Sequence, residues 1–195
     1  MIETIYIEKK IKDHPRTISI LSKFKKARHI EIDKYGEVFN KHNQNFRIQK
    51  NNPALILAYK KEGYVLSAPE GFGIGSSKNY YFSHMYNCIY DCRYCFLQGM
   101  YSSANYVVFV NFEDFDDEIK KIIQKHPEDS LTFFSGYDCD SLALEKVTGF
   151  AKHIIPFFQK HPNVDVEFRT KSIQIEPFSL IKPMDNLVIA YSLMP

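Results

Sequence analysis

The sequence predicts an α/β fold made of parallel strand–helix units, and three observations carry that expectation. From about residue 80 onward, short β-branched runs alternate with amphipathic ones, as in an open parallel sheet or a barrel. The chain has 195 residues, 45% hydrophobic and 25% charged, the ordinary mix of a globular protein. Its 8 glycines and 9 prolines are scattered, which excludes collagen-like and low-complexity disordered classes. No uncharged apolar run approaches the roughly 20 residues that span a bilayer, and the first ten residues lack a secretory layout. The expected compartment is therefore the cytoplasm, without membrane partners, where the four cysteines serve as thiols or metal ligands rather than disulfides.

The elements follow in order. Residues 4–11 alternate apolar and polar side chains and read as a strand. Asp13-His14-Pro15-Arg16 opens a helix carrying Ile18, Ile20, Leu21 and Phe24. Residues 29–33 form a second short strand, and residues 54–60 and 63–68 flank a hairpin turn at Lys61-Glu62-Gly63. The glycine-bearing stretch 69–77 closes a small basic α+β module, expected to occupy residues 1–75. Residues 76–195 supply strands at 80–85, 104–112, 130–135, 164–168 and 187–193. Helices are expected at 115–124, at 141–160, bent or ended by Pro156, and at 177–181. The last strand is of buried type, yet no helix follows it before Pro195. Either the sequence is a fragment or another chain completes the sheet, since parallel strands need cover on both faces.

Charge divides along the chain. Residues 1–61 hold 14 Lys/Arg against 6 Asp/Glu, and the remainder 11 against 17, for a net charge of +2 overall. A basic third suits a nucleic-acid footprint, a docking face for the acidic part, or a solvated surface.

Chemistry concentrates in Cys88-Ile89-Tyr90-Asp91-Cys92-Arg93-Tyr94-Cys95. Thiolates are soft ligands that favour zinc or iron–sulfur clusters. A closed structural site takes four ligands; here three cysteines crowd together and no fourth cysteine or histidine follows at finger spacing. Three ligands leave a metal position open to a substrate. His84, upstream, falls on the expected strand, where a histidine is more often packed than ligating.

This C-x3-C-x-aromatic-C pattern resembles the signature of the radical S-adenosylmethionine (radical SAM) enzymes. With Tyr94 two residues after the second cysteine and Leu97-Gln98 following the third, it resembles the spore photoproduct lyase branch. Asp140-Ser141-Leu142-Ala143-Leu144, Arg169-Thr170-Lys171 and Tyr191-Ser192 are similar to shorter runs of that branch, so the resemblance spans about residues 80–195. It implies a partial (β/α)6 radical-SAM-type barrel, truncated after about four strands that begin near residues 80, 130, 164 and 187. It implies a [4Fe-4S] cluster on Cys88, Cys92 and Cys95, with S-adenosyl-L-methionine on the unique iron. Reductive cleavage of SAM would yield a 5′-deoxyadenosyl radical that abstracts a substrate hydrogen. By position, Tyr94 would lie against the adenine, and Lys171 and Ser192 would meet the methionyl carboxylate or ribose. The branch's SAM-binding serine falls on Cys139 or Asp140. DNA is the implied substrate, and a reductant such as flavodoxin or ferredoxin the implied partner. Lacking further strands, the chain is expected to hold a cluster and to be incomplete for turnover.

The residues themselves fit in part. SAM is a cation with a carboxylate at one end, and Lys171, Asp138, Asp140 and Ser141 fall at carboxyl ends of expected parallel strands. The plainer alternatives are a solvated lysine and an Asp-Ser helix cap. Two positions depart from the branch: its hydrogen-donating cysteine appears as Tyr137, and the tyrosine after the third cluster cysteine is Phe96. Either Cys139 is a displaced donor, or the relay is gone and thymine lesions are not repaired. Two other classes compete: a zinc-binding structural or nucleic-acid-binding module using His84 or Cys139 as fourth ligand, and an iron–sulfur electron carrier using Cys139.

Overall fold

A computed structural model describes residues 2–179 and 181–193. The chain forms two compact units, Met1–Lys60 with Met85–Val110, and Lys61–His84 with Asn111–Pro195. This differs from a single boundary near residue 75: the chain passes between units three times, because residues 85–110 return to the amino-terminal sheet.

In the first unit, β1 (Thr4–Glu8), β2 (Arg28–Ile32), β3 (Leu55–Ala58), β6 (Met85–Tyr86) and β7 (Tyr106–Phe109) form a sheet of order β2-β1-β3-β7-β6. Its first four strands are parallel and β6 runs antiparallel to β7. The central β3, Leu-Ile-Leu-Ala, is buried at every residue, as its uninterrupted apolar run requires. Between β1 and β2 lies α1 (Pro15–Ser22), where the His14 ring accepts a hydrogen bond from the Arg16 N–H and Pro15 occupies the first turn. Two short helices follow, α2 (Gly36–Phe39) and α3 (Phe46–Gln49).

The hairpin expected around residues 61–63 does not form. β3 lies parallel to β1 and β7, whereas β4 (Val65–Ser67) pairs antiparallel with β5 (Lys78–Phe82) in the other unit. Burial decides this: a strand that is apolar on both faces gains more at the centre of a parallel sheet than in an exposed ribbon.

In the second unit the sheet order is β10-β9-β8-β5-β4, with β8 (Leu131–Ser135), β9 (Val164–Thr170) and β10 (Leu187–Tyr191). β5, β8, β9 and β10 are mutually parallel neighbours, which are the four expected barrel strands. Among the described residues the sheet does not close, so the α/β fold is partial. All five residues of β8 are buried and none of β10 is, leaving β10 as an edge strand. The core gathers Phe82, Phe112, Phe133, Phe150, Phe158 and Phe168.

Helix α4 (Glu113–Lys125) buries Phe115 and Ile119 and carries three acids in its first turn, where the helix dipole favours them. The long helix expected at 141–160 is two, α5 (Glu145–Thr148) and α6 (Phe150–Gln159). They are separated by Gly149 in the left-handed region at φ 65°. The buried Glu145 carboxylate accepts the Ala151 and Lys152 N–H groups at 2.9 and 3.0 Å, satisfying donors that the start of α6 leaves open. Pro156 sits inside α6 without ending it; the apolar face on either side holds the helix in place. The helix expected at 177–181 is α7 (Glu176–Ser179), and Leu180 lies outside the described residues. No described helix is long and apolar enough to cross a membrane.

Candidate metal and cofactor site

Cys88, Cys92 and Cys95 lie on the loop between β6 and β7 of the first unit. The loop turns sharply because Asn87 and Asp91 adopt left-handed φ values of 65° and 50°, which short polar side chains tolerate best after glycine. Backbone bonds from Cys95 N–H to the Cys92 carbonyl and from Gln98 N–H to the Cys95 carbonyl, each 3.0 Å, wind it into successive turns. The buried Asn87 amide donates to the Ser103 and Asn105 carbonyls at 2.7 Å and ties the loop's start to its end.

All three cysteines are half-buried and line one cavity of about 230 Å³, with Phe46, Lys50 and Tyr106 on its wall. Burial, then the nearby Cys88 and Asp91, push the Tyr106 phenol above its ordinary range. No other cysteine and no histidine among the described residues lines the cavity. Among the described residues, no three Cys, His, Asp or Glu side chains are drawn together tightly enough for one metal ion. A single zinc demands sulfurs about 2.3 Å from its centre, whereas an iron–sulfur cube takes its thiolates at separate corners. The three cysteines are soft donors on one cavity wall, the donor type that zinc or an iron–sulfur cluster takes. Tyr94 does not line this cavity; its ring is 55% exposed, and the neighbouring Phe96 59%.

The other expected residues lie in the second unit. Asp140, 8% exposed, spends its carboxylate within the protein. One oxygen accepts from the Leu142 N–H (2.9 Å) and the Thr170 hydroxyl (2.7 Å), the other from the Lys171 N–H (2.6 Å). It thereby joins the loop after β8 to the end of β9. Ser141 donates its hydroxyl to the Ser135 carbonyl at 2.7 Å and is not the expected helix cap, since Leu144 occupies that position of α5. Gly136 makes this turn possible: its φ is 83°, and an added Cβ would stand 2.6 Å from Ser141 Oγ. Lys171 Nζ donates to the Ser192 carbonyl at 2.8 Å, so these two expected ligands meet at adjacent strand ends. Cys139 is buried at 6% exposure, and Tyr137 stacks on Tyr81 with centroids 4.3 Å apart.

Asp140→Ala strands three donors around a buried gap. The expected cost is about 3 kcal/mol of unfolding free energy, read from urea denaturation. A loss under about 1 kcal/mol would show that the carboxylate does not hold these strand ends together.

His84 is fully buried, stacked on Phe150 at 4.0 Å and edge-on to Phe112. Burial drives its pKa down to about 3, so it is a neutral packed ring. Reasoning from sequence missed Lys50, Phe46 and Asn87, and it quoted Asp91 and Gln98 in the motif without giving them a structural part. Asn87 and Asp91 are of the type suited to tight turns, a signal that could have found them; Lys50 and Phe46 gave none, being distant along the chain.

A parallel βα sheet and a three-cysteine loop are the layout of the radical SAM superfamily. The family model for spore photoproduct lyase matches residues 1–193, and the chain belongs to that family. A spore photoproduct lyase of Clostridium acetobutylicum is 22% identical over 198 residues, covering 99% of this chain and 57% of its own length. The solved structure of a cysteine-to-serine variant of spore photoproduct lyase is similar with a TM-score of 0.83, at 17% identity over 99% of this chain and 56% of that one. A variant with bound AdoMet and dinucleoside spore photoproduct is similar with a TM-score of 0.83, at 18% identity and the same coverage. At such identities these structures establish the fold. The chain spans a little over half the length of the relatives it matches.

Proposed function

We propose that this chain is the cluster- and SAM-binding portion of a radical SAM lyase acting on a DNA lesion. The observation that carries the reading is that Cys88, Cys92 and Cys95 share one cavity with no fourth cysteine or histidine on its wall. When bound, a [4Fe-4S] cluster and SAM supply a 5′-deoxyadenosyl radical. The chain's own part is to hold and orient. Cys88, Cys92 and Cys95 would hold the cluster, and with no fourth cysteine or histidine among the described residues of the cavity wall they would leave it open to SAM. By family likeness, Tyr94 would offer its exposed ring to the adenine, and Lys171 with Ser192, which meet at adjacent strand ends of the second unit, would serve the carboxylate or ribose. Asp140 and Ser141 support these strand ends from behind, their polar atoms being engaged by protein. Cys139 is the one thiol left to return a hydrogen atom to a product radical, and its burial shields it from oxidants. A reductant such as flavodoxin or ferredoxin would supply the electron.

DNA as substrate rests on family membership and the basic first third of the chain. The zinc module has less support, because His84 is enclosed by phenylalanines and the cysteine cavity offers three ligands. Anaerobic reconstitution with iron and sulfide followed by metal analysis tests the reading. Bound iron and sulfide support it; colourless protein holding one tight zinc and no iron would replace it with the structural module.

A further inference from the structure

The polar contacts around the cysteine loop are not evenly spread. Lys50 caps the carboxyl end of α3, and its side chain reaches into the cysteine cavity over the Phe46 ring, 5.0 Å from the ring centre. Its ammonium donates to the Asp91 carboxylate and to the Gln98 side-chain carbonyl. The Gln98 amide in turn donates to the same Asp91 oxygen, which closes a three-membered ring of contacts. Asp91 immediately precedes Cys92, and Gln98 follows Cys95 by three residues. The ring therefore spans the C-x2-C segment and fixes both of its ends against one helix. Hydrogen bonds from Lys50 and Gln98, in that order, hold the Asp91 carboxyl below its usual range.

An isolated exposed ion pair ordinarily contributes little. This one differs in being part of a closed ring, and in holding a segment whose left-handed Asp91 backbone would otherwise relax. We propose that Lys50 is a positioning residue for the metal centre: it locks Asp91 and Gln98 so that Cys92 and Cys95 face the cavity before any cluster arrives. The proposal rests on the cluster reading given above for the target of that positioning. Outer contacts of this kind typically change metal affinity by about 10–100-fold when removed.

The test compares the wild-type chain with Lys50→Met and Lys50→Arg by two readouts. The first is amide hydrogen exchange at Cys95 and Gln98 in the metal-free protein, where the loop turns are reported directly. Lys50→Met should exchange at least about tenfold faster there, with β3 and β8 amides unchanged. The second is iron loss to a chelator after reconstitution, expected about 10–100-fold faster for Lys50→Met and near wild type for Lys50→Arg. Recovery with arginine separates a charged clamp from mere side-chain packing. Wild-type exchange rates in Lys50→Met would overturn the clamp whether or not a cluster is taken up. A wild-type chain that takes up no cluster, with loop exchange still faster in Lys50→Met, would overturn the functional reading and the positioning role with it, leaving only the loop contact.

Discussion

Replacing Cys88, Cys92 or Cys95 by serine, one at a time, should reduce iron retention after reconstitution by at least about 100-fold, whereas Cys139→Ser should leave it unchanged. Each of the three half-buried thiols faces the same cavity, and the wall offers no substitute sulfur or imidazole. Two remaining ligands cannot restrain a cube that three hold, and a serine hydroxyl is a harder, far less acidic donor than a thiol. Cys139 belongs to the second unit, buried beside the Asp140 clamp. The comparison is read as iron per chain after desalting. Equal losses in Cys139→Ser and Cys92→Ser would make Cys139 a fourth ligand, closing the corner that SAM needs and favouring an electron carrier.

Stability should fall steeply as the medium is acidified from pH 6.5, and His84 should account for much of the slope. The folded protein holds this ring with a pKa near 3, from an ordinary value of 6.5, through burial among Phe112 and Phe150. Between those two values the unfolded chain takes up a proton that the folded chain refuses. Protonation therefore draws the equilibrium toward unfolding, and the contribution is fully present only above pH 6.5. The effect is about 1.4 kcal/mol per pH unit, or about 2 kcal/mol by pH 5. The ring's Nδ1 also lacks a hydrogen-bond partner among the described residues, so nothing offsets the burial of a charge there. Urea midpoints of wild type and His84→Phe at pH 7.5, 6 and 5 provide the check. The variant should show a slope flatter by that amount; parallel slopes would mean that His84 titrates normally or that the core opens to admit water.

The parts of this molecule readable from sequence were those with local causes. Four of the five strands of the second sheet announced themselves by apolar, aromatic or β-branched runs, and the α4 face by Ile119, Ile122 and Ile123 at helical spacing. The pairing of β3 was not readable, because a buried Leu-Ile-Leu-Ala run carries no information about which neighbours flank it. The break at Gly149 was equally hidden. It depends on Glu145 reaching forward to cap α6, a contact between a side chain and backbone groups six and seven residues on. In the candidate site the cysteine spacing was plain. Asp140 and Ser141 looked like ligands because they are polar at a strand end, but burial turns them inward to satisfy backbone donors and acceptors. Lys50 could not be found at all, since only the packing of α3 brings it to Asp91.

The most direct measurement is electron paramagnetic resonance of the reduced, anaerobically reconstituted chain, recorded with and without S-adenosylmethionine. A [4Fe-4S] signal whose g values shift on adding SAM is the predicted result, since in the proposed reading three cysteine ligands would leave one iron to be ligated from outside. A cluster signal indifferent to saturating SAM, or no cluster signal at all, would contradict the account.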